Sequence, residues 1–283
     1  MRKKLLAVAL ATATLATLAI GAPAQASTGG DADGGLHPDV GLILFYSDDG
    51  RFRCSATLVS PTVNVTAAHC TQGTLGKTLV TFTSVIAETP PSGFPIAANP
   101  GAGFTAAEIT NAGFISGTAY THPAYSDFTD MDNWNDVGVI VLDAPLAAHG
   151  SDYPAIASIG TLDAIVNGQL SKTIFTAVGY GTEIRKPLEG PQKPQPMTYP
   201  LLRRYVDMPG QKLTPQILQT NGNPNDVRGT GGTCFGDSGG PVYLAGELVA
   251  VTSYGYTSNC RYLGGYQRLD IPVVSDWLAT FGL

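Results

Sequence analysis

The sequence predicts an all-β protein closed by a single C-terminal helix, and three observations carry that reading. Short apolar or alternating runs recur along the chain, each bounded by Gly, Pro, Asn or Asp. The 283 residues include 34 Gly and 20 Pro, a density of turn formers that favours many short strands over long helices. Apolar residues make up 43% and charged ones 13%, which places the chain among folded domains rather than disordered ones.

Taken in order, the strand candidates are 41–46, 64–66, 78–85, 138–142, 173–178 and 247–251. They do not alternate with helical stretches, as βαβ units would require. Only the terminus has helical spacing: Val273, Val274, Trp277, Leu278 and Phe281 recur three and four residues apart. Residues 89–103 are rich in Pro and Gly and are expected to be irregular. In 181–200, five prolines delete strand donors, so an exposed loop is expected there. There is no internal repeat, and the least structured seam near the middle is 144–152.

The first residues read as an export signal. Arg2, Lys3 and Lys4 precede an apolar run at 5–20, and Ala24-Gln25-Ala26 supplies small residues for cleavage. The run is shorter than the roughly 20 apolar residues a spanning helix needs, so the expectation is a secreted, extracellular protein with residues 1–26 removed and no membrane contact afterwards. Processing takes three cations from a chain whose formal charge is already −6. An anionic surface of this kind does not suit nucleic acid, whose binding rests on Lys and Arg neutralising phosphates.

Four cysteines, Cys54, Cys70, Cys234 and Cys260, survive processing and can pair in three ways. Export makes disulfides possible, and no pair has the Cys-x-x-Cys spacing of zinc sites. The local pairs Cys54/Cys70 and Cys234/Cys260 are preferred.

The string Gly236-Asp237-Ser238-Gly239-Gly240 sets a serine among glycines, where a carbonyl can approach closely and backbone N–H groups can face it. It also matches the Gly-x-Ser-x-Gly elbow of α/β-hydrolases, but those need a histidine after the serine. All four histidines, His37, His69, His122 and His149, precede Ser238, so that fold is excluded. The order His, Asp, Ser has candidates in Thr66-Ala67-Ala68-His69-Cys70 and in Asn135-Asp136-Val137-Gly138-Val139. Asp127, Asp130 and Asp132 suggest calcium only weakly, because Trp134 stands where a further oxygen ligand is wanted. The sequon Asn64-Val65-Thr66 lies on a strand expected to be buried.

These three segments resemble those of chymotrypsin-like serine proteases, and the likeness runs from about His37 to Leu283. It implies two packed six-stranded antiparallel β-barrels, here 27–148 and 149–283, with the C-terminal helix after them and the site in the cleft between them. It implies disulfides at the two local cysteine pairs. Ser238 would be the nucleophile, His69 the general base and Asp136 the group that orients it, with the N–H groups of Gly236 and Ser238 as oxyanion hole. No metal or other cofactor is implied, and the protein would act as a monomer on protein or peptide substrates. The other reading of the same fold is a non-catalytic binding or regulatory protein, which usually shows a lost triad residue; here all three are present.

By the same resemblance, the side chain before the cut enters a pocket walled by Gly232, Thr233, Phe235, Ser253, Tyr254, Gly255 and Gly264 or Gly265. Tryptic relatives carry an aspartate where this chain has Gly232, so large apolar side chains are expected instead. Many relatives mature when a new N-terminal amine pairs with the carboxylate before the serine, here Asp237. The counterpart here is either the amine of Ser27, freed by signal cleavage, or a nearby Arg, or nothing neutralises Asp237.

Overall fold

A computed structural model describes residues 29–183 and 197–283. The export signal, Ser27 and most of the Pro-rich stretch lie outside the described residues. Among those described, no helix is long and apolar enough to cross a membrane.

The first half carries β1 (Asp31–Ala32), β2 (Val40–Ser47), β3 (Gly50–Leu58), β4 (Val63–Thr66), β5 (Leu75–Thr81), β6 (Val85–Ala87), β7 (Ile115–Thr121) and β8 (Gly138–Leu142). Six of these close a barrel in the order β2-β3-β4-β8-β7-β5. The second half carries β9 (Ile174–Gly179), β10 (Leu201–Leu202), β11 (Arg204–Leu213), β12 (Ile217–Asn221), β13 (Pro241–Leu244), β14 (Glu247–Gly255) and β15 (Leu263–Arg268). Here β11-β12-β15-β14-β13-β9 form one sheet, and β9 pairs back onto β11 to close the second barrel. All pairings within the two barrels are antiparallel.

Each barrel is filled by its own side chains. Ile43, Ala56, Leu58, Val80 and Ile140 pack inside the first, and Phe175, Val206, Met208, Leu218, Val249 and Tyr266 inside the second. A third cluster joins them: Val40, Val65, Val137, Val178, Val251 and Leu269 are packed together with Val274 and Leu278 of the terminal helix (Pro272–Ala279). Proline at the first helical position suits a helix start because its missing N–H would be unpaired there anyway. The helix thus seals the seam between barrels, and burying it stabilises their relative placement.

The expectation of helix only at the terminus needs correction. A second helix spans Ala106–Asn111, where Glu108 N–H donates to Thr105 Oγ1 at 3.2 Å and Thr105 N–H donates to Glu108 Oε2 at 2.7 Å. That reciprocal cap, written in the sequence as Thr-x-x-Glu, nucleates a helix too short for periodicity to reveal. Residues 89–103 are irregular apart from a 3-10 turn at Pro100–Ala102. Asn64 of the sequon is fully buried in β4.

Candidate active site

His69 sits on a 3-10 turn, Ala68–Cys70, directly after β4. The disulfide Cys54–Cys70, with Cα atoms 6.2 Å apart, ties that turn to β3. Small neighbours let it seat closely: a Cβ on Gly138 would stand 2.6 Å from the Ala67 carbonyl oxygen.

Asp136 enters from the loop before β8. Its predecessor Asn135 has φ +48, a left-handed conformation that Asn tolerates better than most residues. The Asp136 side chain is fully buried, and its cost of desolvation is offset by hydrogen bonds. Oδ1 accepts the His69 backbone N–H at 2.9 Å, and Oδ2 faces His69 Nδ1 at 2.9 Å. With Nδ1 carrying the proton toward the carboxylate, Nε2 is left as the acceptor. The Asp136 N–H donates to Gln267 Oε1 at 3.0 Å.

Ser238 lies on a tight turn between β12 and β13, shaped by Asp237. That buried carboxylate accepts N–H groups from Gly181 at 2.7 Å and Cys234 at 2.8 Å. The Ser238 carbonyl accepts the Ser55 N–H at 2.8 Å, which holds the turn against β3. Gly239 has φ +73, and a Cβ there would stand 2.0 Å from Thr66 Oγ1. Only glycine fits that crossing. The disulfide Cys234–Cys260 fixes the start of the turn to the loop after β14.

Two carbonyls of the same turn are held in place. The Phe235 carbonyl accepts from Thr182 N–H at 2.7 Å and the Asp237 carbonyl from Gly240 N–H at 2.8 Å. In a planar trans peptide the N–H points opposite to the carbonyl. The N–H groups of Gly236 and Ser238 are therefore each turned away from the partner of the preceding carbonyl.

His69 and Ser238 line one cavity of about 500 Å³. Gly232, Thr233, Phe235, Ser253, Tyr254, Gly255 and Gly264 line it too, and among the described residues no Asp, Glu, Lys or Arg lines it. Of the two candidate wall glycines, Gly264 lines the cavity, while a Cβ on Gly265 would stand 2.2 Å from the Tyr254 ring. Thr233 Oγ1 is 2.9 Å from the hydroxyl of Tyr266, whose ionisation burial pushes up to about 12. Burial, with the neighbouring Tyr256 hydroxyl, likewise raises Tyr254 to about 12, so both phenols stay neutral. The floor is made of backbone: a Cβ on Gly232 would stand 2.7 Å from Gly222 Cα.

Several site residues escaped the sequence reading. Trp134 Nε1 donates to Ser253 Oγ at 2.9 Å, and Ser253 Oγ in turn donates to Asp136 Oδ2 at 2.5 Å. Gln267 is held by its own bonds to Gln216. Phe128 leans on the His69 ring, centroids 5.4 Å apart. Tyr256 and Tyr262 extend the pocket rim. Among the described residues, Cys54, His69 and Cys70 are the one group close enough to suggest a metal ion, and its sulfurs are joined to each other.

Comparison with known proteins places this architecture. The family model described as Trypsin matches residues 42–278. A trypsin of Saccharopolyspora erythraea is 30% identical over 231 residues, covering 80% of this chain and 85% of the relative. A trypsin of Phaedon cochleariae is 29% identical over 161 residues, which span 56% of this chain and 57% of that protein. The solved structure of HL collagenase superposes with a TM-score of 0.58 at 18% identity, covering 90% of this chain and 97% of the other. With two closed barrels, a sealing helix and a family match across nearly all of the described fold, the chain belongs to the trypsin family and is a chymotrypsin-like serine endopeptidase.

Proposed function

We propose that Ser238 Oγ attacks the scissile carbonyl while His69 takes its proton and later hands it to the leaving amine. Asp136 keeps the imidazole in the useful tautomer and stabilises its cation. The oxyanion of the tetrahedral intermediate is received by the N–H groups of Gly236 and Ser238, where one such donor is typically worth about 2.7–4 kcal/mol. The observation that supports this most is the pairing of His69 with buried Asp136 at the mouth of the cavity that Ser238 lines.

The substrate is a protein or peptide bound as an extended strand along Ser253, Tyr254 and Gly255, with a large apolar side chain before the cut. The uncharged lining and the Thr233–Tyr266 pair support an apolar occupant, whose burial contributes roughly 1.5–3 kcal/mol. The protein acts as a monomer outside the cell after removal of residues 1–26, and its maturation uses the freed Ser27 amine. Gly29, the first described residue, packs against the Thr230 carbonyl and Gly231, next to Gly232.

A fluorophosphonate probe and a diverse peptide library test the reading together. Labelling is expected in the parent protein and absent after Ser238→Ala, with cleavage following Phe, Tyr or Leu. A parent protein that neither labels nor cleaves makes the chain a binding module, and a tenfold preference for Arg over Phe overturns the pocket assignment.

A further inference from the structure

A second cavity, of about 250 Å³, shares no lining residue with the Gly232 pocket. One of its residues nevertheless reaches the Ser238 turn, because a Cβ built on Gly236 would stand 3.1 Å from Arg53 Nε. Alternation along β3 puts Ser55, Arg53 and Arg51 on one face. Ser55 on that face meets the turn, its Oγ donating to the Gly236 carbonyl at 2.9 Å. Arg53 and then Arg51, roughly 7 Å further out at the rise of a strand, continue away from it into the cavity. Phe52, Tyr199 and Leu201 supply apolar walls, and among the described residues no carboxylate lines it.

Both guanidinium groups are turned to backbone carbonyls rather than to acids. Arg51 Nη1 donates to the Pro95 carbonyl at 3.0 Å and Arg53 Nη1 to the Pro200 carbonyl at 3.5 Å. Arg53 Nη2 is buried without a hydrogen-bond partner. Burial weakens the Arg53 charge and the field of Asp237 sustains it, but that carboxylate already accepts two backbone N–H groups. A guanidinium carries five N–H donors in a planar fork that suits carboxylates, and the exposed Arg51 uses Nη1 on Pro95 and keeps the rest of its fork for a ligand.

We propose that this cavity is a subsite for an acidic side chain, Asp or Glu, on the leaving side of the scissile bond. The inference rests on Ser238 as nucleophile, with the acyl side of the substrate in the Gly232 pocket. The leaving segment then departs along β3, and an extended peptide brings one of its first three side chains to Arg53 and Arg51.

The test uses the full chain carrying Ser238→Ala and fluorescent, C-terminally amidated peptides spanning the cut, with Asp, Ala or Lys walked through the first three leaving-side positions. At the best position, anisotropy is expected to show Asp binding about tenfold tighter than Ala, as for a charge-assisted contact, with Lys weaker than Ala. Arg51→Gln removes the difference between Asp and Ala. Equal binding of the three peptides overturns the proposal, as does a preference seen only when the terminal amide is replaced by a free carboxylate. If the acidic preference holds while the Ser238 protein cleaves none of these peptides, proteolysis by Ser238 fails and the carboxylate subsite stands.

Discussion

The hydroxyl of Ser253, on the second barrel, donates to Asp136 Oδ2 on the first across 2.5 Å. Its own acceptor position is filled by Trp134 Nε1–H at 2.9 Å. A hydroxyl that receives from an indole has its proton committed to the carboxylate. Trp134→Phe keeps the ring and deletes this direction. The Ser253 hydroxyl is then no longer held to Asp136, the imidazole is less firmly oriented, and kcat/KM is expected to fall several-fold with little change in KM. Ser253→Ala lowers it further. Steady-state kinetics read both, and an unchanged kcat/KM would mean that Trp134 only packs.

The Gly232 floor constrains redesign. An aspartate there is the obvious route to cleavage after Lys or Arg, yet its Cβ meets Gly222 Cα at 2.7 Å and the Gly222 carbonyl oxygen at 3.0 Å. Both are backbone atoms and cannot swing away. Gly232→Asp is expected to lose roughly 1–3 kcal/mol of stability and activity after Phe without gaining activity after Arg. Thermal melts and paired peptide kinetics check this.

Acid sensitivity has a specific source. Burial alone would raise the Asp33 carboxyl, but hydrogen bonds from His37 and Arg203 and the Arg203 charge hold it at about 2. Arg203 Nε donates to it at 2.8 Å, and both side chains are buried. A depressed carboxyl contributes stability that is fully present above its unfolded value near 4 and is lost as pH falls toward 2. This group accounts for roughly 2 kcal/mol over that window. Asp33→Asn removes that part of the pH dependence in urea melts, at the cost of a buried Arg203 left unpaired.

Maturation through Ser27 makes its own prediction. A chain with residues added before Ser27 is expected to cleave peptides at least tenfold more slowly than one beginning there, since one lost charge-assisted contact is worth about that factor. Equal rates would show that Asp237 needs no new amine.

Much of this fold is legible in short runs of residues. Runs 41–46, 138–142 and 247–251 fall in β2, β8 and β14, because short apolar runs bounded by turn formers are local signals. His69 and Ser238 stand in strings of small residues and Asp136 at the mouth of an apolar strand, so all three are legible as candidates from local sequence. Trp134, Gln267 and Gly222 were not. Each acts on a partner over a hundred residues away or, for Gly222, on the backbone of another loop, and only barrel closure sets those distances. Thr105 and Glu108 mark an intermediate case: the cap is local, but a helix of one and a half turns offers no periodicity to support it.

Rings run in near contact from His69 through Phe128, Trp134, Tyr254 and Tyr256 to Tyr262, with centroid separations from 5.1 to 6.5 Å. The chain has two tryptophans, and the other, Trp277, faces His122 and Phe281 on the terminal helix. Indole emission is sensitive to what touches the ring, so Trp134 is a native optical reporter of occupancy. In a Trp277→Phe background, unlabelled ligands can be titrated by light alone.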